Sequence, residues 1–490
     1  MVALSAALLV LAVTLLAVQY FKLQWSRGRF PPGPNPLPLI GNMWTLRFEL
    51  RHDKLMQLAK TYGNIFTVWL GHTPLIMLNG CQTVRDGLIS HSEELSGRPT
   101  TAAFDELSKG KGVVFSNGHN WKQQRRFGLM TMRNLGLGKK SLEGRIQEEA
   151  QSLVEFYASI KGKPTDPSPS MVHSVTNVIS ALVFGHRFSS EDKDLHQLVE
   201  ANDFLTIFLG TMWARIFDIA PWLMRHLPGP QQDMFKYNTF LETFVKMEIK
   251  QHKENGIPDE PQDLIDFYLT EISKVSNEPT SAYDEENMIR LVTDLFGAGT
   301  ETTTTTLRWA LLHMVTQPAM QENVQKELDS VLRDCQIIQY EDRKRLPYTN
   351  AVIHEIQRYS NIASTGIFRQ VVKETSLQGF RLEKGTMVLP NLASCLFDPH
   401  YWETPHQFNP GHFLDKEGNF VTNEAFLPFS AGHRVCLGEQ LARVELFIFF
   451  TSLLRAFTLR LPEGVKEVNM ESIFGSTLQP HPYKICAIAR

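Results

Sequence analysis

Cysteine is scarce in this chain: five residues in 490, odd in number and scattered at Cys81, Cys335, Cys395, Cys436 and Cys486, with no CxxC spacing. That excludes a disulfide framework and a zinc knuckle, and it places the bulk of the chain in a reducing compartment. A charge excess is missing too, since 49 Lys plus Arg stand against 52 Asp plus Glu for a net charge of -3. A polyanion finds no global field to follow, so nucleic acid is not an expected partner. No low-complexity linker interrupts the chain, and no repeat of roughly 20 to 50 residues marks a solenoid. HExxH, GxSxG and a strand-linked GxGxxG are absent, which removes the common metalloprotease, hydrolase and dinucleotide-fold readings. The look-alike phosphate loop Gly136-Leu137-Gly138-Lys139-Lys140-Ser141 has Arg133 in place of its first Gly and Lys140 in place of Ser or Thr. What remains, at 43% hydrophobic, 10% aromatic and 21% charged residues, is the balance of one large folded domain.

Val2 to Phe21 carries no charge and is rich in Leu and Val, long enough at about 20 residues to span a bilayer as a helix. Lys22, Arg27 and Arg29 follow it and no basic residue precedes it, the pattern of a retained anchor rather than a cleaved signal peptide. By the positive-inside rule the body then lies in the cytosol. Residues 1–22 are read as the transmembrane anchor and 23–38 as a basic, proline-rich hinge, stiff and extended because Pro31-Pro32-Gly33-Pro34-Asn35-Pro36-Leu37-Pro38 cannot be helical. Beyond it, β-like runs at Ile65–Leu70 and Leu75–Leu78 give way to helical periodicity from about Trp121, so the fold is mainly α with a small β part.

Two segments carry chemistry. Asp284 to Pro318 reads as one long helix with acids at its start, interrupted by Phe296-Gly297-Ala298-Gly299-Thr300-Glu301-Thr302-Thr303. Two glycines there cost about 1 kcal/mol each relative to Ala, so they serve either a flat ligand or close helix packing, with the threonines bonding back to carbonyls. Leu295, Ala298, Gly299 and Thr302 share one face, and Glu301 and Thr302 are candidates for moving protons. Near the C-terminus, Phe429-Ser430-Ala431-Gly432-His433-Arg434-Val435-Cys436-Leu437-Gly438-Glu439 sets a cysteine between two glycines and ahead of a helix, where amide hydrogens and the helix N-terminus favour a thiolate. A lone Cys is usually an inert small hydrophobe, but a single anionic sulfur with no second soft ligand suits haem iron better than zinc or an iron-sulfur cluster.

Phe429 to Gly438 fits Phe-x-x-Gly-x-x-x-Cys-x-Gly and resembles the haem-binding loop of the cytochrome P450 monooxygenases. Three further motifs stand in that family's order: Trp121-Lys122-Gln123-Gln124-Arg125, Ala298-Gly299-Thr300-Glu301-Thr302-Thr303 and Glu355-Ile356-Gln357-Arg358. In Phe408-Asn409-Pro410-Gly411-His412-Phe413, His412 stands where many members have Arg, a substitution similar to that of the microsomal family-two branch. Leu227-Pro228-Gly229-Pro230, Asn134 to Glu143, Leu307 to Leu312 and Gly438 to Arg443 look most like subfamily J.

The resemblance implies a cytochrome P450 fold, with a haem-thiolate monooxygenase domain over 39–490 behind the anchor, in the endoplasmic reticulum membrane. It implies haem b with Cys436 as axial thiolate, Thr302 organising a proton-delivering water and Glu301 relaying protons. Trp121, Arg125 and Arg434, and after them Arg98 and Arg369, match positions that hold the propionates; Phe429, Gly438 and Ala298 complete the haem contacts. The chain has no flavin or nicotinamide motif, so electrons come from NADPH through cytochrome P450 reductase, with cytochrome b5 as an accessory partner. Lys122, Arg126, Arg133, Lys139, Lys140 and Arg443 are the expected basic face for the reductase. Phe104, Leu295, Thr365, Ile367 and Phe474, with Phe204, Ile207, Phe208, Leu209, Met212 and Trp222, are the expected wall for a lipophilic substrate entering from membrane lipid. The implied substrates are polyunsaturated fatty acids such as arachidonic acid, epoxidised or hydroxylated, or xenobiotics; carotenoid ring hydroxylation or ketolation is the alternative. A reductase-independent haem-thiolate isomerase and a non-catalytic haem- or lipid-binding membrane protein are the competing classes.

Overall fold

A computed structural model describes residues 2–136, 140–275, 280–333 and 337–490. The first helix, Val2–Arg27, is long and apolar enough over Leu4–Arg27 to cross a membrane, and none of its most apolar stretch is buried in the protein. It runs past the expected boundary at residue 22. The proline segment after it is docked rather than free. Thr67 N–H donates to Pro32 O at 2.9 Å, and Asn42 Nδ2 donates to Asn35 O at 3.0 Å. Gly33 lies so close to Thr67 O that a Cβ would overlap it.

The small β part is a four-stranded sheet. Ile65–Leu70 and Thr73–Leu78 pair antiparallel across a tight turn, Leu75 to Leu78 then pairs parallel with Met387–Pro390, and Arg369–Gln370 closes the sheet. The parallel register brings the chain after Tyr359 back against the N-terminal hairpin. It thereby sets Ile367 and Arg369 at the edge of the interior.

The interior is helical. Asp284 caps the central helix, Glu285–Thr316, its side chain accepting from Asn287 N–H at 2.7 Å, and the 32 residues reach about 48 Å. Most of its side chains are buried, and its main partners are the Ser168–Val183 and Glu439–Ala456 helices. The glycines are explained largely by this packing. A Cβ at Gly297 would stand 2.4 Å from Asn202 Oδ1 of the Lys193–Gly210 helix, and one at Gly299 would stand 3.0 Å from Ile179 of the Ser168–Val183 helix.

Candidate active site

Between the central helix and the cysteine loop lies a cavity of about 300 Å³. Leu295, Ala298, Gly299 and Thr302 line one wall, the helix face expected from their spacing. Thr302 Oγ1 donates to Ala298 O at 2.7 Å, so in this state the hydroxyl is turned onto its own helix. Glu301 is not in that wall. It points to the opposite side, where its Oε1 accepts from Thr305 Oγ1, Thr477 Oγ1 and Gln479 Nε2.

Phe429, Cys436 and Gly438 line the facing wall. The loop closes through Cys436 N–H, which donates to Phe429 O at 3.1 Å. Gly432 has φ +73, and a Cβ there would overlap Leu88 O. The sharp-turn argument therefore holds at Gly432. Gly438, at φ -89, needs no special backbone; a side chain there would meet no atom within 4 Å and would stand in the cavity. Cys436 lies deep in the molecule, yet its surface is accessible because it forms cavity wall. Burial pushes its thiol up, while the N–H groups of Gly438 and Glu439 and the Arg125 charge pull it down. A metal bound at the sulfur would supply the rest of the drive toward thiolate.

One side of the cavity holds Arg98, Arg125, Arg369 and Arg434, with Trp121 among them. Arg434 donates from Nε to Ser96 O and from Nη2 to Ser116 O, both at 2.7 Å, and stacks 3.9 Å from the Trp121 ring. Arg98 donates to Val114 O and Phe368 O, Arg125 to Val435 O, and Arg369 to Ser430 Oγ. Among the described residues none of the four pairs with a carboxylate. Burial, and then mutual repulsion, lowers Arg434 to about 9 and Arg369 to about 10, and the same causes hold Arg98 well below its ordinary value. Trp121 Nε1 and Arg369 Nε are buried without a partner. Buried cations facing only neutral groups are costly, and they call for an anionic ligand.

Leu295 lines this cavity, and Ile367 joins it to a second one of about 220 Å³ whose wall includes Phe104, Thr365, Leu209 and Phe474. Trp222, Ile207 and Met212, in contrast, line neither cavity and are exposed, Trp222 most of all; Phe208 is core, and Phe204 packs on that core. Of the expected basic face, Lys122, Arg126 and Arg133 are exposed. Arg443 is engaged elsewhere, donating to Glu439 Oε1 and lying 3.1 Å from His354 Nε2. Lys139 and the Lys140 side chain lie outside the described residues.

Two acids were not anticipated. Glu445 is buried at the cavity wall, with Thr303 Oγ1 donating to it at 3.0 Å, and burial pushes it up to about 8. Its only signal in sequence is a charge inside the apolar run Val444 to Phe450. Asp294 accepts from Val113 and Val114 N–H and anchors the segment ahead of Trp121; burial raises it too.

A flat dicarboxylate that takes a sulfur ligand at its centre fits this donor set, which is the description of a haem-thiolate protein. The cytochrome P450 family model matches residues 31–487, and the chain belongs to that family. It is 44% identical over 474 residues to cytochrome P450 2J2 of Homo sapiens, covering 97% of this chain and 94% of the relative. Cytochrome P450 2J5 of Mus musculus is 43% identical over 94% of this chain and 91% of the relative, and cytochrome P450 2A3 of Rattus norvegicus is 39% identical over 99% of each. The protein is a haem-binding P450 monooxygenase of the microsomal family-two type, most similar to subfamily J. Membership brings a cysteine thiolate on haem iron, a redox partner and a small-molecule substrate, and the apolar first helix fits an endoplasmic reticulum anchor.

Proposed function

We propose that Cys436 is the axial ligand and that Trp121, Arg98, Arg125, Arg369 and Arg434 hold the haem propionates, Phe429, Gly438 and Ala298 completing the contacts. The observation that carries this is the cluster of four arginines without a carboxylate among the described residues, three of them buried and Arg125 half-buried, on the same cavity as an accessible cysteine. When bound, haem iron with a thiolate ligand supplies dioxygen activation. The chain's own residues do the rest. Phe429 and the Ala298 to Thr302 wall restrict water around the reacting centre. The Thr302 hydroxyl releases Ala298 O to hold a water, and Glu301 is the carboxylate that carries protons toward it.

The substrate is lipophilic and passes from the second cavity, between Phe104, Thr365 and Phe474, past Ile367 and Leu295. Polyunsaturated fatty acid epoxidation or hydroxylation, or xenobiotic oxidation, fits those apolar walls. Electrons come from NADPH through cytochrome P450 reductase, for which Lys122, Arg126 and Arg133 form the basic landing face, with cytochrome b5 as an accessory partner. Residues 1–22 form the core of the anchor, 23–38 connect it to the catalytic domain over 39–490, and Lys22, Arg27 and Arg29 keep that domain cytosolic.

The test incubates the membrane-bound protein with reductase, NADPH and labelled dioxygen, offering arachidonic acid and a xanthophyll in turn. Labelled epoxides or alcohols of the fatty acid are expected. A labelled ring ketone would move the substrate to carotenoids, and product formation without NADPH would point to isomerase chemistry instead.

A further inference from the structure

Among the described residues, the wall of the second cavity carries a single cation, Arg215. Most of the remaining wall is apolar, with Phe104, Phe115, Phe368 and Phe474 its bulkiest members. Arg215 comes from the Met212–Ile219 helix, and its side chain is only 12% exposed. A guanidinium is taken into such a wall only where its charge and its N–H groups find partners. Here the partners meet part of the demand. Nη1 donates to Asp218 Oδ2 and Nη2 to Leu209 O, each at 2.9 Å. The guanidinium carbon lies 5.6 Å from the centre of the Phe368 ring and 5.9 Å from that of Phe104, within reach of their π-faces. These contacts fix the plane of the fork and leave Nε and the second hydrogen of each Nη without a partner among the described residues. Unlike Arg369 Nε, which is buried without a partner, Arg215 Nε is not shut off from a ligand.

Asp218 does not satisfy the cation alone. Its Oδ1 accepts from Ala103 N–H at 2.8 Å, so the carboxylate is divided between Arg215 and the backbone of the Ala102–Ser108 helix. Burial lowers Arg215 by more than the Asp218 charge raises it, which marks a cation whose loss of water is not fully made good. Glu49, the other charged group on this wall, is half-exposed and forms no ion pair with Arg215. Gly366 and Ile367 belong to the walls of both cavities, so a long molecule held here extends past them toward Cys436.

We propose that the second cavity is the head-group site of a lipophilic acid, and that Arg215 binds its carboxylate while the far part of the chain passes Ile367 into the cavity beside Cys436. The spare donors supply charge-assisted hydrogen bonds in a low-dielectric wall, and the phenylalanines cover the first part of the chain. Asp218 and Leu209 O keep the fork in place when no ligand is bound. The proposal rests on the lipophilic-substrate reading above and names the part of the molecule that the protein recognises. It also sets the position of oxidation. An acid held by its head is oxidised at a position counted from the carboxyl carbon, whereas one located only by apolar packing of its tail is oxidised at a position counted from the methyl end.

The test uses the full-length, haem-loaded protein with arachidonic acid and its methyl ester as probes, binding being read from the change in haem absorption on titration. The wild type should bind the acid more tightly than the ester. Arg215→Gln should weaken the acid by roughly tenfold to a hundredfold and the ester much less, and Arg215→Lys should recover part of the loss. With reductase and NADPH, the wild type should oxidise palmitic and stearic acids at the same distance from the carboxyl carbon, and Arg215→Gln should spread the positions. An Arg215→Gln protein that keeps the wild-type preference for acid over ester overturns the proposal, as does a wild type whose oxidation follows the methyl end. Should Arg215→Gln fail to fold, the wild-type positions decide alone. A wild type that takes up neither the acids nor the ester removes the fatty-acid reading itself, whereas one that oxidises acid and ester without preferring the acid removes only the Arg215 site.

Discussion

Arg358 and Glu355, one helical turn apart on the Pro347–Tyr359 helix, face each other with both side chains fully buried: Nε to Oε2 and Nη2 to Oε1, each 2.7 Å. The other Arg358 donors reach Leu396 O, Pro405 O and Gln407 O, while Asn409 N–H donates to Glu355 at 2.7 Å. His412, where many relatives place a cation, acts differently. Its Nε2 accepts from Thr404 N–H, so its proton sits on Nδ1 and points at Glu355 Oε2 at 3.3 Å. The lock is one cation, one anion and a neutral donor. Removing one partner of a buried pair costs about 3–5 kcal/mol, so Arg358→Ala should abolish haem-loaded protein. Arg358→Lys, which keeps charge without the fork, should fail nearly as badly. Haem content per expressed chain reads both, and wild-type content in Arg358→Lys would mean that the fork is dispensable.

If Cys436 is the ligand, Cys436→Ala should leave a folded cavity whose bound haem lacks the thiolate absorption of the carbon-monoxide-bound reduced form. An unchanged spectrum would falsify the assignment. Because Gly438 borders the cavity without needing its backbone freedom, Gly438→Ala should lower haem retention with little change in folding, measured as haem lost on dilution of the purified protein.

The cysteine loop was legible in sequence because its determinants are local: Gly432 must be glycine for the turn, and Phe429 and Cys436 close the loop on each other. The cavity face of the central helix followed from helical spacing for the same reason. What the sequence hid is long-range. Gly297 and Gly299 look like space for a ligand, yet they are shaped mainly by Asn202 and Ile179 on other helices. Arg98 and Arg369 lie far apart in the chain and converge only through the loop and the sheet edge, so resemblance found them and periodicity could not. Arg443 reads as free surface charge until folding brings His354 to it, and Trp222 reads as apolar wall although it faces out.

The arginine cluster makes a graded prediction. Arg434, 6% exposed and stacked on Trp121, holds two loops through Ser96 and Ser116 carbonyls as well as offering charge to the cavity. Arg369 has one partner and an unpaired Nε. Arg434→Gln should therefore lower both haem affinity and thermal stability, whereas Arg369→Gln should lower haem affinity and leave the apoprotein as stable as wild type or more so, since it relieves repulsion among cations. Unfolding measured on haem-free and haem-loaded protein separates the two. A destabilised apoprotein in Arg369→Gln would show that its charge is already compensated within the chain.

Glu445 gives a pH prediction with a definite sign. Its carboxyl titrates at about 8 in the folded protein because burial opposes its charge, against an ordinary value of 4.5. Between those values the folded chain holds a proton that the unfolded chain has released, so stability must fall as pH rises through the window and level off above it. His252, raised to about 9 chiefly by its hydrogen bond to Asp263, adds a falling slope of its own above the ordinary histidine value of 6.5. Glu445→Gln keeps a partner for Thr303 and never ionises, while the His252 contribution is the same in both proteins and cancels in their comparison. The variant should match wild type near pH 5 and exceed it near pH 8 by a margin that grows steadily between, read as the difference in unfolding temperature of the full-length protein at each pH. An unchanged wild-type slope in Glu445→Gln would mean that this carboxyl ionises in its buried site without cost, which its lack of any cationic neighbour makes physically untenable unless water reaches it.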